Sequence, residues 1–113
     1  MNARSVAPLL VFGALWRSLG LQPAGRRVLA SLDDPDETTR TMAGMLIVKA
    51  GSRAIPLLQE SMNEGRNLPM VIRLAADVGA QELVPQIRQF ADATDPRVAA
   101  AARDALRLLA SSA

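Results

Sequence analysis

The sequence predicts an all-α fold: a short α-solenoid of about three helical hairpins with an extra N-terminal helix. Three observations predict it: the composition, a recurring punctuation along the chain, and the spacing of apolar residues within the punctuated segments. Half of the 113 residues are apolar, yet Phe12, Trp16 and Phe90 are the only aromatic side chains. A core filled by Ala, Leu, Val, Ile and Met suits closely packed helices better than sheets, where aromatic and β-branched residues are enriched. The length fits one domain with one core.

The punctuation begins with two Asp-Pro pairs, Asp34-Pro35 and Asp95-Pro96, 61 positions apart (34 to 95). Half that distance is about the length of one helical hairpin. Gly51 and Gly79 close two apolar segments 28 positions apart (51 to 79), and each is followed by a proline, at Pro56 and Pro85. The order is therefore Asp-Pro, apolar helix, Gly, Pro, second helix. Each mark has a mechanism. Asp34 is expected to cap a helix, with Pro35 at the first helical position, where its missing N–H costs nothing. Glu37, three residues after Asp34, would complete a capping box. Asp95-Pro96 repeats the cap and the proline, and Gly51 and Gly79 suit left-handed helix ends.

These marks place helices at about 23–32 and 35–50, 53–63 and 67–78, and 81–92 and 96–110. In the last, Val98, Ala101, Ala102, Ala105, Leu106, Leu108 and Leu109 are expected on one face, opposite Arg97, Arg103, Asp104 and Arg107. In the helix over 67–78, Val71, Leu74, Ala75 and Val78 point inward, and in that over 35–50, Met42, Ala43, Leu46, Ile47 and Ala50 do so. The segment Asp95-Pro96-Arg97-Val98, followed by Ala101-Ala102, Ala105-Leu106 and Leu109, resembles the second helix of a HEAT repeat. It is similar in particular to the HEAT-like repeats of phycobilisome-lyase-type proteins. Ala50-Gly51 with Pro56-Leu57-Leu58, and Val78-Gly79 with Leu83-Val84-Pro85, continue the likeness over about residues 23–110. Glu64-Gly65-Arg66-Asn67 departs from it, standing where Asp-Pro is expected.

The expected organisation is an N-terminal apolar helix at 1–21 and a HEAT-like repeat domain at 22–113. Between Arg4 and Arg17 the N-terminal segment has no charged residue. That stretch is short of the ~20 residues needed to span a bilayer. Three roles stay open for it: a cap on the stack, a docking helix, or an interfacial anchor. Leu9, Phe12, Trp16 and Arg17 carry the last two, with Trp16 at headgroup depth and arginines on anionic lipid.

Catalytic groups are scarce. The chain has no His and no Cys, so neither a thiolate nor an imidazole can act as nucleophile, base or metal ligand. The seven glycines are dispersed and form no phosphate-cradling loop. Asp33, Asp34, Asp36 and Glu37 read as capping and dipole-complementing residues rather than a cation site. No catalytic residue, metal, cofactor or small-molecule substrate is expected.

Net charge is +2, distributed unevenly: residues 1–32 hold four arginines and no acid, and residues 33–113 hold nine basic and eleven acidic side chains. The acidic balance of the longer part and the few aromatics argue against nucleic acid. In HEAT-like stacks, by resemblance, the second helix of each pair lines the concave face. That would bring Arg40, Arg73, Asp77, Arg103, Asp104 and Arg107 to a partner; the alternative is a solvated face with local pairs such as Arg73 with Asp77. The expected function is a non-catalytic protein-binding scaffold or adaptor, acting on a protein partner or on itself. The alternatives are a membrane-surface protein held by the N-terminal helix, and a bilin-lyase-like or nucleic-acid-binding HEAT protein. The expected location is the cytoplasm, with a peripheral position at a membrane under the first alternative.

Overall fold

The structure, a computed structural model, describes residues 3–112, with side chains from Val6 onward; Arg4, one of the N-terminal arginines, has its side chain outside the described residues. Among the described residues seven α-helices run in order: α1 (Ala3–Leu19), α2 (Gln22–Ala30), α3 (Glu37–Ala50), α4 (Ile55–Asn63), α5 (Leu68–Val78), α6 (Val84–Phe90) and α7 (Pro96–Ser112). Short 3-10 turns at Ser31–Asp33, Gly51–Ala54 and Gln81–Leu83 extend α2 or lead into α4 and α6. No strand occurs among the described residues. The chain forms two compact units, Met1–Leu57 and Leu58–Ala113, so α1 shares a unit with α2 and α3 rather than standing apart at the 21/22 boundary. Helix α4 carries the chain across the division, within the hairpin expected at 53–63 and 67–78.

In the first unit α1 packs on both α2 and α3. Pro8 lies inside α1. Its inner side buries Val6, Leu9, Gly13 and Trp16, the last with no exposed surface. Gly20, at φ 67°, ends the helix and donates from its N–H to the Trp16 carbonyl at 2.8 Å. Left-handed backbone there favours glycine. Gly25 on α2 leaves room for the indole, since a Cβ at that position would stand 2.6 Å from Trp16 Cε2 and 2.7 Å from its Nε1. Trp16 Nε1 has no hydrogen-bond acceptor among the described residues.

Helix α3 begins two residues later than the Asp34-Pro35 pair suggests. Asp36, not Asp34, is the N-cap, and its Oδ2 accepts from the Thr39 N–H at 3.1 Å and the Thr39 hydroxyl at 2.7 Å. Asp34 is engaged earlier, accepting from the Asp36 N–H at 2.9 Å and so closing a turn around Pro35. Glu37 becomes the first helical residue, and buried Thr39 takes the position the capping box reserved for it. Ala43, Ile47 and Ala50 are buried along α3, with Met42 and Leu46 half-buried. Gly51, at φ 60° and ψ −128°, ends the helix with positive φ but outside the left-handed helical region.

In the second unit α7 packs on α5 and α6, and the α5–α7 pairing is the most extensive between helices. Ala75 and Ala76 of α5 and Ala99, Ala101, Ala102 and Ala105 of α7 are buried, and such small side chains let helix backbones approach closely. Val71, Ile72 and Leu74 fill the rest of the inner side of α5, while Val78 is half-buried. Gly79 ends α5 in the left-handed conformation (φ 78°, ψ 35°). Its N–H donates to the Ala76 carbonyl and the Ala80 N–H to that of Ala75, both at 3.0 Å, which is a Schellman motif with Ala80 buried beneath it. The Glu64–Asn67 turn places Gly65 at φ 69° and Asn67 at φ 46°. Asn tolerates this region better than most non-glycine residues, so this turn is built without the expected Asp-Pro.

Asp95 accepts from the Arg97 N–H at 2.9 Å, with Pro96 the first residue of α7, as the sequence indicates. The expected apolar face is corrected at one position: Leu108 is 53% exposed. At about 100° per residue the buried arc of α7 centres between Val98 and Ala102 and includes Ala99, leaving Leu108 about 100° off that centre. Gln81 reaches from its 3-10 turn to cap the other end, donating from Nε2 to the Leu109 carbonyl at 2.7 Å.

Candidate functional site

The residues singled out from sequence are divided between the two units. Arg40 belongs to the first unit, and Arg73, Asp77, Arg103, Asp104 and Arg107 to the second. Arg40 is already engaged: its Nη1 donates to the carbonyls of Asp34 at 2.8 Å and Pro35 at 2.9 Å, bracing the turn before α3. Arg73 and Asp77 are exposed on α5 but form no ion pair with each other among the described residues. On α7 Arg103 is exposed, and Arg107 pairs with Asp104 one turn before it. Asp104, Arg107, Leu108 and Ser111 line a shallow depression on that helix. The Asp104–Arg107 and Asp95–Arg97 pairs are both largely exposed, where such bridges contribute little.

The N-terminal candidates separate into two groups. Leu9 and Trp16 are core residues, which corrects the reading of Trp16 as a headgroup-depth anchor: it lies against Gly25 and has no exposed surface. Phe12 is half-buried, with the Arg27 guanidinium 5.1 Å from its ring centroid, a cation–π arrangement. Arg17 is exposed. An open pocket of about 290 Å³ lies beside Phe12, lined by Pro8, Leu9, Arg27, Ala30, Ser31 and Asp34 among others.

Three apolar surfaces of the first unit remain open to solvent. The outer side of α1 presents Ala7, Leu10, Val11 and Ala14, all exposed and with no charge among them. Met45 and Val48 are exposed on α3. The corner between α1 and α2 presents Leu19, 66% exposed, and Leu21, 45% exposed, on either side of Gly20. Sequence reading ran these two leucines into one helix; the signal that separates them is Gly20, a helix-ending residue between two apolar ones. Arg53 packs across Gly20 and its Nη1 donates to the Trp16 carbonyl at 3.2 Å, opposing the negative end of the α1 dipole.

Two carboxylates are shifted. Hydrogen bonding from the Thr39 side chain, helped by its backbone N–H, holds Asp36 below the usual aspartate value against an opposing desolvation. The backbone N–H of Arg97, then its side chain, does the same for Asp95. Both shifts belong to helix caps. Among the described residues no group of three or more acidic side chains is placed to hold a metal ion, and no helix is long and apolar enough to cross a membrane. Comparison with protein-family models, with curated proteins and with solved structures finds no match to this chain.

Proposed function

We propose that the protein is a non-catalytic adaptor that docks a protein partner on the outer side of α1. In this reading the hairpins α2–α3, α4–α5 and α6–α7 are successive repeats of a short HEAT-like solenoid, and α1 is the docking helix at its end. The observation that carries it is the uncharged exposed strip Ala7, Leu10, Val11 and Ala14, on a helix whose opposite side is already buried. A helix apolar all round is normally covered on all sides. The occupant is an amphipathic helix with acidic flanks, laid along α1 in the helix-in-groove manner. Its charge follows from residues 1–57, which hold seven basic and four acidic side chains, a net +3.

The test is a photo-crosslinking residue at position 11, introduced in the native host, with a second probe at exposed Arg88 on the other unit. The expected result is one stoichiometric protein adduct through position 11, mapping to an apolar segment with acidic neighbours, and lost in a Leu10→Asp variant that still melts like wild type. Equal adducts from both probes, or none through position 11, would overturn the reading.

A further inference from the structure

We infer that the α1–α2 corner is an insertion tip for an anionic membrane surface: Leu19 and Leu21 enter the headgroup layer while Arg17, Lys49 and Arg53 meet lipid phosphates. This is independent of the protein-docking reading, because it uses other side chains at the end of α1 rather than along its outer side. Helices α1 and α3 run in the same direction, which the close approach of Gly13 to Leu46 and of Arg53 to Trp16 establishes. Arg17 stands one turn beyond Gly13, and Lys49 nearly one turn beyond Leu46, so both cations lie toward the corner. Arg53 already lies across Gly20. Arg17, Lys49 and Arg53 are all exposed.

The acidic residues of this unit, Asp33, Asp34, Asp36 and Glu37, lie before α3 or at its first residue, while the corner lies beyond its far end. The 14 residues of α3 put about 20 Å between the two ends. That is twice the distance over which charges are screened at physiological salt, so the corner acts as a cationic end. An apolar tip of two leucines is too small for a stable protein interface. Beside three cations it matches the combination by which peripheral proteins hold an anionic bilayer, shallow apolar insertion plus attraction to lipid charge. Trp16 takes no part, being closed off in the core, which distinguishes this tip from an unfolded amphipathic anchor.

The experiment is co-sedimentation of the purified full chain with phosphatidylcholine vesicles carrying roughly one-third phosphatidylserine, and with pure phosphatidylcholine vesicles. The expected result is binding to the first and at least tenfold weaker binding to the second. Arg17→Gln and Lys49→Gln should each weaken binding about fivefold, and Leu19→Ser with Leu21→Ser should abolish it. All four side chains are exposed, so unchanged thermal melting is the control that the fold is kept. Val11→Ser, on the outer side of α1, should leave binding unchanged. Equal binding to both vesicle types, no binding to either, or loss through Val11→Ser but not through the corner variants would overturn the inference.

Discussion

Replacing Gly25 with alanine puts a methyl group where there is no space. Its Cβ would stand 2.6 Å from both Leu57 Cδ1 and Trp16 Cε2, and 2.7 Å from Trp16 Nε1. Carbon atoms in contact settle about 3.5–4.0 Å apart, so roughly 1 Å of movement is required. Trp16 is fully buried and its indole is rigid, and Leu57 is 4% exposed, so neither can swing into solvent. Overpacking of this kind costs about 1–3 kcal/mol, and three simultaneous short contacts place Gly25→Ala in the upper half of that range. Alanine returns about 1 kcal/mol in helix propensity. The net expectation is a loss of about 1–2 kcal/mol and a melting temperature lower by roughly 5–10 °C. Trp16 is the only tryptophan and there is no tyrosine, so its fluorescence reports directly on this contact during a thermal melt. Gly13→Ala is the paired control. Its Cβ would meet only the Leu46 side chain, at 2.9 Å from both methyls. Leu46 is half-buried and can turn aside, so that variant should melt at or slightly above wild type. If Gly25→Ala melts as high as Gly13→Ala, the tight seating of Trp16 on α2 is wrong.

Three further outcomes test the remaining assignments. Leu109→Ala, at a fully buried position, should cost about 2–5 kcal/mol, whereas Leu108→Ala should stay within about 0.5 kcal/mol of wild type; denaturant melts of the two separate the inner from the outer side of α7. Gln81→Ala removes the cap on the Leu109 carbonyl and should cost about 1 kcal/mol, read in the same melts. Asp36 and Asp95 titrate lower in the folded chain than in the unfolded one. Their stabilisation is therefore complete above the ordinary aspartate range and is lost as pH falls through the folded values. Melting temperature should be flat near neutrality and fall below about pH 4. Asp36→Asn with Asp95→Asn, which keeps capping side chains that do not titrate, should shrink that acid slope; an unchanged slope would assign it to other groups.

Much of the helix order was legible because its marks are local. Asp95-Pro96 and Gly79 carry their mechanism in the residues themselves, and both act as read. Asp34-Pro35 carried the same mark but was displaced by two residues, because Asp36 offers a second carboxylate and Thr39 both an N–H and a hydroxyl to receive it. Periodicity found most of the inner side of α7 and misplaced Leu108, since a face seen in sequence has no fixed centre until a neighbouring helix supplies one. Of the roles left open for the N-terminal helix, the interfacial one misplaces Trp16. An indole in an uncharged N-terminal stretch looks interfacial, and only the missing Cβ of Gly25, nine positions on, makes a seat for it. The grouping of the arginines was not legible at all. Whether Arg40 faces a partner or braces its own turn depends on the path of two carbonyls, which no pattern of residue types specifies.

The alanine-lined pairing of α5 and α7 has a thermodynamic consequence. Leucine-packed helices owe their cohesion to large apolar areas withdrawn from water, and that withdrawal gives unfolding its heat-capacity change. A seam of Ala75, Ala76, Ala99, Ala101, Ala102 and Ala105 withdraws little area per residue and relies on close approach of the backbones. This seam should therefore contribute little to the heat-capacity change on unfolding, which comes from the larger buried side chains such as Ile72, Leu83, Ile87 and Leu109. It is intolerant of size: any added bulk must separate the helices along their length.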